Sequence, residues 1–587
     1  MVVSLYISLL IILISYLLLR NYKMDSKYKF LIVMGINLLC LSILVYPLFD
    51  IEDITLRITN SIYFALKSIT LNEEITILNN ISLTNFFGWF YFLWVNVFLI
   101  ALPVFTVSTL ISFISDLFTD LKLKKIKNKH LYIFSEMNDK SLTIAKYYAN
   151  NQDSAIIFLN ALNKEENEDY SFKAIKLSET INEINLNNYQ NNITLYMISD
   201  DEEQNLNNTL EIIDKYKTKS MMIYVINNTK EAPTILDSTD KGLLKVEVVN
   251  ETERAIFSLL DNSPLYINTV NNQISLLIVG CGVVGKEFLK DATWCGTLIG
   301  YKFKALVIDL KADEIKENLE IENPDFLKNY DITFLNCDIK SKKAMDAIRK
   351  TKDINYVLVS METDGKNLDT AIELRKLFIR ENERKPIINI WIQSEFKRYQ
   401  INKLVNEKND LYEINAFGSI NDMYFENRIV DSDIEKLAIK IHLAYDKDIN
   451  NYYLNDYNKR SSRASAIHVK YKLYSILKEK YTNNLNEDLK LFREMYNKKI
   501  EDSLAKNEHD RWNAYMRTIG YTCSTIKEVK EYYPLIHDHR DFLGRRHPAL
   551  VPFEKLDSVS KKLQNMGINK DLRKSDYDIV KMMLKDF

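Results

Sequence analysis

The sequence predicts a helical membrane region, then an α/β body built from parallel sheets, then a mainly helical C-terminal part. Three observations carry this. Long uncharged apolar runs are confined to the stretch before residue 120. Beyond it, strands alternate with helical patterns, and the alternation restarts once. From about Asn451 the composition shifts to Tyr, Lys, Arg and Asn. The expected domains are 1–120, a three-helix transmembrane region with a candidate pore helix at 56–72, then 128–262, 272–445 and 455–587.

A chain of 587 residues is too long for one core. Lys+Arg is 77 and Asp+Glu is 79, a net charge of −2, so there is no overall pull toward nucleic acid. Cys40, Cys281, Cys295, Cys337 and Cys523 are scattered with no CxxC pair. That argues against a disulfide scaffold or zinc ribbon and fits a reducing compartment for the bulk of the chain. Glycine is scarce at 13, so a glycine cluster is informative.

The runs Val2 to Leu19, Phe30 to Phe49 and Phe86 to Ser115 approach or exceed the length of a membrane-crossing helix. A signal peptide fits the first run poorly, because its charges follow the apolar stretch and no A-x-A-like site appears. Arg20, Lys23, Lys27 and Lys29 follow the first run, and Lys122, Lys124, Lys125, Lys127 and Lys129 follow the third. The segment between the second and third is acidic on balance, with Asp50, Glu52, Asp53, Glu73 and Glu74. The positive-inside rule then places the N-terminus outside and everything after residue 120 in the cytoplasm of a multi-pass plasma or inner membrane protein. Leu56, Ile62, Tyr63, Leu66 and Ile69 share one helical face. This segment is either a re-entrant pore helix or an amphipathic helix on the outer surface. The filter position would be Thr70-Leu71-Asn72-Glu73-Glu74, with no TVGYG, so potassium selectivity is unsupported.

In the body, strands are expected at His130, Ser154, Ile193, Ser220 and Leu243, and again at Ile274, Lys304, Asp331, Asn355 and Ile387. "MISDDEEQNLNNTLEI" and "LVSMETDGKNLDTAIEL" echo each other with one residue of offset: a strand ending in Ser (Ser199, Ser360), acidic residues, then Asn-Leu opening a helix. Only the second unit carries "GCGVVG", Gly280 to Gly285, between a strand and a helix. In such a G-x-G-x-x-G turn Gly280 allows the tight bend and Gly282 admits a pyrophosphate. Gly285 lets helix and strand pack closely, and the amides around Val283 and Val284 face anionic oxygens. Asp309 ends the next strand, 24 residues after Gly285, and suits a ribose; Asp338 ends the third, toward an adenine. The first unit has "SEMNDKS" at the turn and Asn160 at the acidic position, so it is expected to serve as scaffold.

These spans, the basic hinge and the paired Rossmann-like folds resemble the RCK domains of ligand-gated potassium channels and Trk-type uptake regulators, over roughly residues 86 to 440. That resemblance implies a fold that senses a nucleotide or ion through Gly280, Gly282, Gly285 and Asp309 and acts on the inner helix without redox chemistry.

Farther on, "LAKNEHDRWNAYMRTIGYT" and "RRHPALVPFEKL" resemble the RyR domain, the repeated module of ryanodine receptors. The matching residues are His509, Arg511, Trp512, Gly520 and Tyr521, then His547, Pro548, Leu550, Pro552, Phe553 and Leu556; the glycine that often follows the aromatic is missing after Tyr521. The resemblance implies a later segment packed back on a helix. Trp512 and Tyr521 can stack on a base, with Arg511, Arg545 and Arg546 holding phosphates and His547 among the ligand contacts; alternatively Trp512 and Phe553 form the core while His509 and His547 satisfy buried carbonyls. His537, His539 and His547 lack a fourth ligand type, and no metal site is expected.

No nucleophile elbow, Walker lysine, HExxH or acid/base pair accompanies the glycine turn, so the chain is read as a non-enzyme. The expected function is a membrane-embedded, homo-oligomeric (dimeric or tetrameric) receptor or effector. It would answer a nucleotide, NAD(H), ATP/ADP or a nucleotide second messenger, by gating or perturbing the membrane, as an ion channel or in antiviral defence. The alternatives are an RCK-type regulator of ion transport sensing NAD(H) or ATP, and a membrane-anchored interaction scaffold. Its partners are the membrane and the nucleotide, with no nucleic acid.

Overall fold

The computed structural model describes residues 1–21, 26–69, 75–126, 128–161, 172–188, 192–382, 385–407, 414–424, 433–454 and 456–585. The chain forms two compact units, Met1–Asn128 and Lys129–Phe587.

The first unit is helical, with helices Val2–Asn21, Ser26–Val45, Ile54–Ser68 and Phe86–Lys125. Among the described residues one helix, over Phe86–Val104, is long and apolar enough to cross a membrane; Val2–Tyr16 and Ile32–Leu48 are shorter apolar stretches. Cys40, Leu44, Tyr91, Val95, Phe98 and Leu102 make the interior, and the Tyr91 hydroxyl donates to the Leu44 carbonyl at 2.5 Å. Leu93, Val97, Ile100 and Val104 stand outward, each more than half exposed, so the outer stripe of this helix is apolar. Asp53 caps helix Ile54–Ser68 by accepting from the Thr55 and Leu56 amides. That helix buries Ser61, Phe64, Ala65 and Ser68 and leaves Leu56, Ile62, Tyr63 and Leu66 exposed. Phe64 packs into the core edge-on to Phe49, flanked by the small residues, while the second apolar stripe stays exposed. Thr70 to Glu74, the filter position, lie outside the described residues.

In the second unit, buried runs rich in Ile, Val and Leu form two six-stranded sheets, parallel throughout. Strands buried on both faces read as continuous apolar segments. The first sheet is β1 (His130–Phe134), β2 (Ser154–Phe158), β3 (Ile175–Lys176), β4 (Ile193–Met197), β5 (Met222–Ile226) and β6 (Lys245–Val249), ordered β3-β2-β1-β4-β5-β6. The second is β7 (Gln273–Val279), β8 (Lys302–Asp309), β9 (Asp331–Asn336), β10 (Tyr356–Val359), β11 (Ile387–Trp391) and β12 (Ile414–Phe417), ordered β9-β8-β7-β10-β11-β12. Both follow the doubly wound order 3-2-1-4-5-6, so the duplication read from sequence is a duplication of topology. The ten expected strands are present, and the edge strands β3 and β12 add to them.

The C-terminal part is helical, with a two-stranded ladder of β13 (Thr522–Cys523) and β14 (Arg546–His547). Its long helices Asp456–Leu477 and Lys498–Thr518 lie against the sheets rather than apart from them. One core contains Ile274, Leu276 and Trp294 from the second sheet unit together with Ile467, Tyr471 and Tyr515. Helix Asp456–Leu477 touches both sheet units. Lys459 Nζ donates to the Val246 carbonyl at 3.1 Å, the Tyr471 hydroxyl to Leu260 at 3.0 Å, and His468 Nε2 meets the Thr297 carbonyl at 3.0 Å.

Candidate functional site

The order of each sheet reverses between its first and fourth strands, the point at which doubly wound sheets place a ligand crevice, beyond the C-terminal strand ends. In the second unit that point is β7 against β10. Gly280 has φ +82°, and a Cβ on it would lie 2.6 Å from the Ser360 carbonyl oxygen. A Cβ on Gly285 would lie 2.2 Å from the Gly280 oxygen, so helix Val283–Cys295 packs on the turn only because that residue has no side chain. At Gly282, by contrast, a Cβ would meet nothing within 4 Å. The three glycines thus divide into a bend, an opening and a packing contact, as a phosphate-gripping turn requires.

Gly282 is also the N-cap of helix Val283–Cys295, and no side chain caps it. Its first-turn amides therefore remain available to an anion. Val283 is exposed, and Val284 packs its side chain against the core. Asp309 ends β8; its Oδ2 accepts from the Cys281 amide at 2.7 Å and its Oδ1 from the Lys311 amide at 2.8 Å. Each oxygen keeps lone-pair capacity for a hydroxyl. Burial, then the charge of Asp309, pushes the Cys281 thiol up to about 12, so it is neutral and unsuited to nucleophilic chemistry. Asp338 is exposed beyond β9 and accepts from the Lys340 amide. The donor set fits a phosphate-bearing ligand with a ribose: bare amides, a clear approach at Gly282 and a carboxylate at the second strand.

The first unit fills the same place with its own atoms. Asn138 caps helix Asp139–Tyr148 through the Ser141 amide, in a capping box. The Asn138 side chain also donates to the Ile198 carbonyl at 2.7 Å, and Ser135 Oγ accepts from the Ile198 amide at 2.9 Å, joining the β1 turn to the end of β4. Lys140 pairs with Glu251 at 3.0 Å and Asp200 at 3.4 Å, and Tyr424 donates to Glu251 at 2.6 Å. Tyr424 belongs to the chain beyond β12, so the second sheet unit helps cover the first sheet unit. Asn160 has φ +50°, and its amide donates to the Glu179 carbonyl at 3.0 Å.

Two residues that the sequence reading passed over govern the crevice floor. Asn205 accepts from the Ser199 amide and donates to the Ile226 carbonyl; Asn367 accepts from the Met361 amide and donates to the Trp391 carbonyl. Each ties the fourth strand end to the fifth. The Asn-Leu echo was the available signal.

The C-terminal residues are brought together but mostly inward. Segment 545–556 packs back on helix Lys498–Thr518, with the Val551 carbonyl meeting His509 Nε2 at 2.8 Å and Asn513 Nδ2 at 3.0 Å. Arg511 is buried and gives its guanidinium to Glu508 at 2.8 Å, beside the Lys472 ammonium at 2.5 Å. Tyr521 is buried near Tyr457, with centroids 6.2 Å apart. Trp512 is half-buried, its ring 4.9 Å from that of His547 and edge-on to it. Burial, then the neighbouring His539 and Arg540, hold His547 well below the ordinary histidine value. His509 pairs with Asp576 at 3.3 Å; burial opposes its charge, but Asp576 prevails and raises it. Among the described residues no cluster of His, Cys, Asp and Glu is arranged to hold a metal.

No protein-family model matches the sequence, and no curated protein does. Among solved structures, the GsuK channel is similar at 17% identity, over 66% of this chain and 93% of that one, with a TM-score of 0.31. A point mutant of GsuK is similar at 15% identity over the same shares, with a TM-score of 0.29.

Proposed function

We propose that this chain is a membrane-anchored, nucleotide-responsive regulator of ion transport, sensing NAD(H) or ATP at the Gly280–Gly285 turn of its second sheet unit. The observation that carries the reading is the contrast between the twin crevices. One is capped by Asn138 and neutralised by Lys140, Asp200 and Glu251; the other has a bare helix start and free space over Gly282. The proposed role is binding rather than catalysis; the raised Cys281 thiol at the turn, which favours the neutral form, is in keeping with it. Helix Val283–Cys295 carries the signal onward through Trp294, which meets Tyr515 of helix Lys498–Thr518 edge-on at 6.3 Å. In this reading the apolar helices lie in the plasma membrane with the N-terminus outside, the body is cytoplasmic, and copies assemble as a homo-oligomer. A ligand shifts such a system only by its differential affinity for two states.

The test is thermal unfolding of the full-length protein with NAD⁺, NADH and ATP. Stabilisation at saturating ligand should approach about 2–3 kcal/mol at a hundredfold excess over Kd. Gly282→Val should abolish it without loss of fold, because a side chain there clashes with ligand and not with protein. Ion flux in liposomes, with and without the active ligand, tests the transport role. Half-buried Trp512 beside His547 favours a second reading, an effector that answers a signalling nucleotide at the C-terminal cluster. That reading requires stabilisation that survives Gly282→Val and is lost in Trp512→Ala. No response to any nucleotide would leave a membrane-anchored scaffold.

A further inference from the structure

Helix Ile54–Ser68 has two unlike faces. Ser61, Phe64, Ala65 and Ser68 are turned inward, where the helix packs on helices Ser26–Val45 and Phe86–Lys125. Every exposed residue of the helix is uncharged: Thr55, Thr59 and the large apolar side chains of Ile54, Leu56, Ile58, Ile62, Tyr63 and Leu66, which are 43–66% exposed. At 1.5 Å per residue this face runs roughly 20 Å, and a water-facing surface rarely leaves so long an apolar stripe bare.

The polar groups of the helix are settled within the unit. Thr59, Ser61 and Ser68 donate their hydroxyls to the carbonyls of Thr55, Arg57 and Ala65 at 2.8–2.9 Å. Hydroxyls bonded back to the preceding turn need no water, which suits an apolar setting. The Arg57 guanidinium turns to the carbonyls of Tyr46 and Pro47, at 2.9 and 3.2 Å, and lies over the Tyr46 ring. Lys67 folds over Tyr63, its ammonium 4.7 Å from the ring centroid. Apart from the Tyr63 hydroxyl and the two threonines, the outward face is therefore aliphatic and aromatic carbon. It presents no charged ring or carbonyl ladder with which to hold an ion. The outer stripe of helix Phe86–Lys125, with Leu93, Val97, Ile100 and Val104, has the same character.

We propose that the outward face of helix Ile54–Ser68 lies against phospholipid acyl chains, as a lipid-facing brace and not as the wall of a pore. This rests on the reading of the first unit as membrane-embedded.

The test uses the full-length protein with Cys337→Ser and Cys523→Ser and one new cysteine, Ile62→Cys, Leu66→Cys or Val97→Cys. Each is labelled with bimane and reconstituted in phosphatidylcholine vesicles with or without brominated acyl chains. All three side chains are exposed, so the packed face of each helix is left intact. Brominated lipid should quench Ile62→Cys and Leu66→Cys as deeply as Val97→Cys, and aqueous iodide should quench none of them. Iodide quenching at Ile62→Cys and Leu66→Cys, with lipid quenching kept at Val97→Cys, would put water on the face and overturn this proposal alone. So would a disulfide-linked dimer of Ile62→Cys or Leu66→Cys chains, which would put a second copy there. Absence of lipid quenching at all three positions would overturn the membrane reading and this proposal with it.

Discussion

Gly282 and Gly285 are three positions apart and meet opposite fates if given a side chain. Gly285→Ala forces a methyl to within 2.2 Å of the Gly280 carbonyl oxygen, backbone that cannot swing aside. We expect a loss of about 2 kcal/mol or more, read as a drop in the unfolding midpoint, because helix Val283–Cys295 must lift off its strand. His547 supplies a pH signature. Its Nδ1 accepts from the Ala549 amide at 3.1 Å, so protonating the ring breaks a buried hydrogen bond as well as burying charge. Its pKa is depressed below the ordinary 6.5, so its contribution is complete above that value and is lost as pH falls. Stability should decline below pH 6.5 by about 1.4 kcal/mol per unit for this group. His547→Asn, which keeps an acceptor, should flatten the decline in pH-dependent thermal melts. At this scale the glycine roles were legible, since spacing alone assigns bend, opening and packing. The inward position of Arg511 was not. Glu508 is its neighbour three residues back on the same helix, but the burial of that pair depends on Lys472, which another helix brings to Glu508.

Between elements, the two sheet units are copies down to a side-chain task. Asn205 and Asn367 make the same pair of bonds from the fourth strand end to the fifth, displaced by one residue exactly where the sequence echo slips by one. Most of the ten strands legible in the sequence are apolar runs buried on both faces, while β9, at a sheet edge, has no buried residue. The strands β3 and β12 are two and four residues long, at sheet edges, and their pairing is set by a neighbour rather than by their own pattern. Helix Ile54–Ser68 shows the limit of periodicity from the other side. Its apolar face was legible, but the face that packs is the one on which Phe64 stands among Ser61, Ala65 and Ser68.

At the scale of the whole molecule, residues 129–587, which hold both sheet units and the C-terminal helices, form one compact unit. A buried ion network fastens it. Arg463, on helix Asp456–Leu477, reaches Glu247 of β6 and Glu435, the latter at 2.6 Å, while Arg254 bonds Glu247 at 2.6 Å and Tyr452 donates to Glu435 at 2.6 Å. Burial works against the Glu435 carboxylate, but Arg463 and Arg254 hold it charged, well below the usual carboxylate range. Removing one member strands the others, so Arg463→Met should cost about 3–5 kcal/mol. The loss should appear in one cooperative transition of the body rather than as separate melting of a C-terminal piece, which calorimetry can distinguish.

The Asn138 cap of the silent crevice has a use beyond that crevice. It is a bond that competes for the very amides a ligand would take, supplied by the chain itself. Transplanting it as Gly282→Asn would give the second turn its own internal antagonist, at a gain of a few tenths of a kcal/mol in helix stability. Such a protein should melt no lower than its parent and be indifferent to nucleotide. In cells it would separate what the assembled body does by merely existing from what it does when addressed.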